Sequence, residues 1–258
     1  MIFADSHCHL DDKSYSKDRD AVLARFKEAG GRAIMIAGID IESCREAIRL
    51  AETHEEIFAS VGVHPHDAAR CDTGTLATLK ALAKHRKVKA WGEIGLDFNR
   101  MYSPKDVQER IFIEQLKTAD TLGLPLIFHE RDTNGRFLEL LKAHPDPARQ
   151  GVIHCFSGTR QELEQYLSLG FMIGITGILT IAGRGKDLRK LVLDIPADRL
   201  LIETDAPYLT PSPQKNKTRR NEPAFVLSVL LRLAEIREEE PEALSEILWN
   251  NTCGLFDI

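Results

Sequence analysis

Short runs of apolar and β-branched residues recur along this chain. Each is followed by a longer stretch whose apolar positions return every three or four residues. The first kind predicts buried strands and the second amphipathic helices. Eight strands are expected, at Ile2–Asp5, Ala33–Ala37, Phe58–Val63, Val88–Gly92, Leu126–His129, Val152–His154, Phe171–Ile175 and Leu200–Thr204. Their starts lie about 28 residues apart, close to the ~30 residues of one βαβ unit.

Helices are expected at Lys17–Ala29, Glu42–Thr53, Thr75–Ala83, Pro104–Leu122, Thr133–Lys142, Arg160–Leu169, Lys186–Leu193, Pro223–Ile236 and Pro241–Asn251. The fourth opens on a proline and stops at Gly123, the usual start and stop signals. Regular β/α alternation points to a parallel sheet with crossover helices. Eight units point to an α/β fold of the (β/α)8 TIM-barrel type, although counting alone leaves an open, doubly wound sheet possible. No linker interrupts the pattern, so residues 1–258 are expected to form one domain.

Composition sharpens this only a little. The chain has 258 residues, which suits one barrel of this class. Its net charge of -5 argues against a basic surface that coats duplex nucleic acid. Any such contact is expected at a local site. The five cysteines, Cys8, Cys44, Cys71, Cys155 and Cys253, form no C-x-x-C pair, so reduced thiols are expected. Asp5 falls too early for a secretory apolar region, and no apolar stretch is long enough to span a bilayer. A cytoplasmic protein with no membrane association and no obligate protein partner is the expectation.

The histidines change the picture more. His7, His9, His64, His66, His129 and His154 all fall at or just past an expected strand end, and so do Glu93 and Asp205. In a barrel the C-terminal strand ends converge on the face where active sites are built. His7 and His9 are two residues apart, and period-two alternation would aim both rings to one side. The same parity makes Asp5 a candidate to orient an imidazole. Each signal alone has a plain structural explanation: a satisfied core histidine, a glycine-rich turn at Glu93, a helix-capping aspartate at Asp205. Their conjunction at six strand ends is much harder to explain structurally. Mixed nitrogen and oxygen donors suit zinc, manganese or iron better than an all-oxygen magnesium cage, and more than four ligands argues for two ions.

These motifs together resemble the TatD family of metal-dependent deoxyribonucleases, a branch of the amidohydrolase-like barrels. The matching stretches are Asp5-Ser6-His7-Cys8-His9-Leu10, Gly62-Val63-His64-Pro65-His66 and Gly92-Glu93-Ile94-Gly95-Leu96-Asp97. Further on come His129 before Arg131-Asp132, His154-Cys155-Phe156-Ser157-Gly158, Glu203-Thr204-Asp205-Ala206-Pro207-Tyr208-Leu209 and Arg219-Arg220-Asn221-Glu222-Pro223. The resemblance implies two divalent metal ions (Zn, Mn or Mg). His7, His9 and Asp205 would hold one, His129 and His154 the other, and Glu93 would bridge them. Asp205 and Glu93 would be catalytic, Asp205 as general base. His64, His66, Arg131, Arg219 and Arg220 would contact substrate.

The implied reaction is hydrolysis of DNA phosphodiester bonds from a 3′ end by an activated water. Single-stranded or frayed DNA is the implied partner, with RNA a further candidate. Phe98, Tyr102, Phe156 and Tyr208 could stack on bases, with packing against loops as the plainer role for some of them. A competing reading keeps the barrel and ions but changes the bond, giving a D-aminoacyl-tRNA deacylase or a small-molecule amidohydrolase.

Overall fold

The computed structural model describes all 258 residues. Its strands are β1 (Phe3–Cys8), β2 (Gly31–Ile36), β3 (Ile57–Val61), β4 (Val88–Asp97), β5 (Leu126–Arg131), β6 (Gly151–Ile153), β7 (Met172–Ile175) and β8 (Leu200–Ile202). They form one sheet in the order β1 to β8. The last strand returns to the first: the Asp205 N–H donates to the His7 carbonyl at 2.9 Å and the His9 N–H to the Ala206 carbonyl at 2.7 Å. The fold is therefore the (β/α)8 barrel rather than an open sheet. No helix is long and apolar enough to cross a membrane.

The helices are α1 (Arg19–Glu28), α2 (Ile41–Thr53), α3 (Thr73–Leu82), α4 (Lys105–Leu122), α5 (Arg136–Ala143), α6 (Arg160–Ser168), α7 (Leu188–Leu191), α8 (Val226–Arg237) and α9 (Pro241–Phe256). Their starts follow local chemistry. Asp40 accepts from the Ser43 N–H at 2.7 Å while the Asp40 N–H donates to Ser43 Oγ at 3.0 Å, a reciprocal cap for α2. Asp72 with Thr75 and Thr159 with Glu162 do the same for α3 and α6. Gly123, with φ of 65°, ends α4 in the left-handed region that glycine enters without strain. The expected helix at Lys186–Leu193 shrinks to the single turn of α7.

Two compact units make up the chain, one of residues 1–36, 155–157 and 172–258, the other of residues 37–154 and 158–171. The first packs Phe3 edge-on against Phe26, with ring centroids 5.7 Å apart. The second has a larger aromatic core, with Phe112 stacked on Phe137 at 5.0 Å and Phe128 edge-on to Phe171 at 5.1 Å. All five cysteines are free.

Strands β1 and β4 depart from simple alternation near the ends that carry the site residues. Between Asp5 and Cys8 of β1, and between Trp91 and Ile94 of β4, three residue steps oppose two on the neighbouring strand. Such bulges re-aim side chains and commonly lie beside active sites. They also lengthen both strands past their expected ends, to Cys8 and Asp97. In β4, two glycines make this possible. A Cβ at Gly92 would come within 2.6 Å of the Ile127 carbonyl, and one at Gly95 would collide with the His129 carbonyl.

Candidate metal centre

The first unit gathers His7, His9 and Asp205 at the seam between β8 and β1. His7 is fully buried, at the end of β1. Its ring lies edge-on to that of His9, with centroids 5.2 Å apart. Asp205 Oδ1 is 3.8 Å from His7 Nε2 and 3.5 Å from His9 Nε2. These separations are long for hydrogen bonds. They are close to those of donors sharing one ion through bonds of about 2.0–2.2 Å. The donor set therefore fits a metal.

A buried polar bracket holds Asp205 in place. Asp5 accepts from the Thr204 N–H at 2.9 Å and from Thr204 Oγ1 at 2.5 Å. Thr204 Oγ1 accepts in turn from the Ala206 N–H at 3.1 Å. Asn221, fully buried, donates through Nδ2 to the carbonyls of Thr204 at 2.9 Å and Tyr208 at 2.6 Å. Asp5 was expected to orient an imidazole. Instead its carboxylate grips the Thr204 backbone and hydroxyl and the His7 N–H, because the β1 bulge breaks the parity it would share with His7. Burial pushes its carboxyl up to about 8 despite these bonds.

Glu203 is also fully buried and accepts from the Cys155 N–H at 2.6 Å. A Cβ on Gly174 would come within 2.7 Å of its carboxylate.

The second unit gathers Glu93, His129, His64, His66 and Asp97. Glu93 is buried on the β4 bulge, and its N–H donates to the Gly38 carbonyl at 2.8 Å. Glu93 Oε1 is 2.7 Å from His129 Nδ1 and 3.4 Å from His64 Nε2. The donor atoms of His64, Glu93 and His129 lie close enough to surround one ion. On the far side of the His129 ring, Nε2 is 3.3 Å from Asp97 Oδ2, which also lies 2.8 Å from His66 Nε2. His154 follows β6, with its N–H on the Phe128 carbonyl at 2.9 Å and its ring stacked 6.4 Å from His129.

Charge balance in this cluster is set by contacts as well as burial. Burial alone would lower His129, but hydrogen bonds to Asp97 and Glu93 raise it to about 9. Burial pushes His64 down to about 4 against the pull of Glu93. Asp97 would be raised by burial, yet the His129 and His66 rings and the Arg100 N–H hold it well below the usual carboxylate range.

The remaining predicted residues lie further out. Arg131 ends β5, partly exposed, with its carbonyl accepting from the Phe98 N–H. Arg219 is exposed in the loop after β8, and only its carbonyl is engaged, by Thr210 Oγ1. Arg220 binds both Asp18 oxygens, at 2.8 and 2.6 Å, and the Ser14 carbonyl at 2.7 Å, and lies over the Tyr15 ring. That contact pins the loop to the start of α1. Tyr102 and Tyr208 are exposed and rest on site histidines, Tyr102 on His66 at 4.7 Å and Tyr208 on His9 at 6.0 Å.

Sequence reading gave no role to Asp97, Thr204, Glu203 or Asn221. All four stand inside the quoted motifs, and that position was the only available signal. What they touch depends on how the strand ends are arranged.

A (β/α)8 barrel with buried imidazoles and carboxylates at its strand ends defines a metal-dependent hydrolase. The comparisons are more specific. The profile of the family described as TatD related DNase matches residues 4–257. The chain belongs to that family. It is 44% identical over 251 residues to a protein of Rahnella sp. named 3′-5′ ssDNA/RNA exonuclease TatD, covering 96% of this chain and 95% of the relative. The Escherichia coli K12 protein of the same name is 40% identical over 97% of both chains. Among solved structures, YJJV, a TatD homolog from Escherichia coli, superposes with a TM-score of 0.91 at 34% identity, covering 99% of this chain and 98% of that one.

Proposed function

We infer that this protein is a metal-dependent 3′–5′ exonuclease that hydrolyses phosphodiester bonds at single-stranded DNA ends, with RNA as a second substrate. The observation that carries this is full-length likeness, at 40–44% identity, to relatives named for that activity. The presence of all six candidate donor residues supports it.

In this reading the chain would hold two divalent ions, of Zn, Mn or Mg. His7, His9 and Asp205 serve one ion, His129 and His154 the other, and Glu93 both. Such ions supply Lewis acidity to a phosphoryl oxygen and activate water for attack.

The chain's own groups do the rest. Asp205, partly exposed at the seam, takes a proton from the attacking water in this reading. His64, His66, Arg131 and Arg219 supply N–H donors for phosphate oxygens. Arg220, engaged with Asp18, contributes by fixing the loop that carries Arg219. Tyr102 and Tyr208 offer exposed ring faces to unpaired bases, which suits single strands better than duplex.

The test is release of mononucleotides from 5′-labelled single-stranded DNA with added Mn2+ or Zn2+, run beside an Asp205→Asn variant. Wild type should shorten the strand from its 3′ end, and the variant should fold yet lose at least 100-fold in rate. A wild-type enzyme inert on DNA and RNA but active on a carboxylic ester would overturn the reading.

A further inference from the structure

Asp97 closes β4, and its side chain is fixed from every direction. It is fully buried. Oδ1 accepts from the backbone N–H groups of Asn99 at 2.9 Å and Arg100 at 2.8 Å. Oδ2 faces Nε2 of His66 at 2.8 Å and Nε2 of His129 at 3.3 Å. Gln108 clamps the backbone, accepting from the Asp97 N–H at 2.9 Å and donating to the Asp97 carbonyl at 3.1 Å and the Ser103 carbonyl at 2.8 Å. No rotation is left to this carboxylate.

A carboxylate oxygen can only accept, so the nitrogen facing it must carry the proton. Without an ion both His129 nitrogens face carboxylates, Nε2 that of Asp97 at 3.3 Å and Nδ1 that of Glu93 at 2.7 Å. An ion held by Glu93 would replace the proton between Nδ1 and that carboxylate, and the one proton left on the neutral ring is then the one facing Asp97, on Nε2. We propose that Asp97 is the positioning residue of the metal site on this unit: it keeps the His129 proton on Nε2, so that Nδ1 ligates beside Glu93. The proposal rests on the two-ion reading above and names the residue that makes one of its ligands competent.

The same argument separates His64 from the ligands. Its Nε2 lies 3.3 Å from His129 Nδ1 and 3.4 Å from Glu93 Oε1, which by distance alone suits a third donor. Its Nδ1, however, accepts from the His66 N–H at 3.1 Å. The proton of the neutral ring therefore sits on Nε2, and a protonated nitrogen cannot ligate. His64 presents an N–H to Glu93 and to whatever oxygen approaches it.

Asp97→Asn is the discriminating variant. Its amide oxygen can still take the Asn99 and Arg100 N–H groups. Its NH2 then faces both histidines and needs acceptors there. The His129 proton is driven to Nδ1, where it blocks the ion. Calorimetric titration of Zn2+ into chelator-treated protein should show two ions for wild type. In the variant, one of them should bind 10–100-fold more weakly, the range seen when a ligand's hydrogen-bond partner is lost. A second measurement needs no variant: long-range 1H–15N spectra of the zinc-loaded wild type should place the His129 metal on Nδ1 and its proton on Nε2. Equal affinities in wild type and variant, or metal on Nε2 of His129, would overturn the proposal. Neither assay contains DNA. A protein that binds two ions by this pattern yet cleaves no nucleic acid would overturn the nuclease reading and leave the role of Asp97 standing.

Discussion

Replacing Asn221 with alanine should be among the most damaging single changes outside the ion ligands. The side chain is fully buried and serves three backbone groups. Nδ2 donates to the carbonyls of Thr204 and Tyr208, at 2.9 and 2.6 Å, and Oδ1 accepts from the Glu222 N–H at 2.9 Å. Truncation leaves all three without this partner. A buried polar group left unsatisfied costs about 1–3 kcal/mol. Relaxation and water entry recover part of the total, so the expected loss is about 3–5 kcal/mol. For a chain of this size each kcal/mol lowers Tm by roughly 2–4 °C, giving a drop of roughly 6–20 °C. Tyr15→Phe is the internal control. It removes only the hydroxyl that donates to the Asn221 carbonyl at 2.6 Å, and should cost about 1 kcal/mol. Thermal melts followed by circular dichroism read both. Because Thr204 and Tyr208 flank Asp205, kcat on DNA should also fall in Asn221→Ala. A melt within 2–3 °C of wild type (about 1 kcal/mol) would refute the reasoning, as would equal losses in the two variants.

Other consequences follow from the same geometry. Gly95→Ala should lose more than about 3 kcal/mol or fail to fold, since its Cβ collides with the His129 carbonyl at a φ of 146°. Gly123→Ala, in open space at a φ of 65°, should lose only about 1 kcal/mol, and matching melts would contradict this. Arg220→Ala should lower stability by about 1–2 kcal/mol and raise KM for DNA, because the loop carrying Arg219 loses its anchor on Asp18; a change in kcat alone would argue against that role. Stripping the ions with a chelator should abolish cleavage and lower Tm, reversibly on adding Mn2+ or Zn2+, by about 2.7 kcal/mol of stability for each ion present at 100-fold over its Kd. Tyr102→Ala should raise KM for an oligonucleotide several-fold while leaving hydrolysis of bis-p-nitrophenyl phosphate, which has no base to stack, unchanged; equal effects on both substrates would remove the stacking role.

The repeating pattern of this chain determined the β/α alternation and the approximate place of every strand. Apolar runs of three to six residues must be buried, and the amphipathic stretches between them have one face with which to do it. It also determined which residues could ligate a metal, because His7, His9, Glu93, His129, His154 and Asp205 all fall where strands end, and local hydrophobicity fixes that position. Helix starts were legible in part: Pro104 and Gly123 bracket α4 openly, whereas the reciprocal Asp40–Ser43 cap becomes apparent only in the fold.

Tertiary structure alone decided the rest. Closure of the barrel depends on β8 pairing with β1, a contact between residues about 200 apart that no local pattern encodes. The bulges in β1 and β4 depend on how neighbouring strands align, and they redirect Asp5 to Thr204 and extend β4 to Asp97. Hydrogen bonds to Asp97 and Glu93 set the state of His129, and the His66 N–H sets the tautomer of His64. A proton's place on a ring is set by what surrounds it in space, and residues dispersed along a chain become neighbours only when it folds.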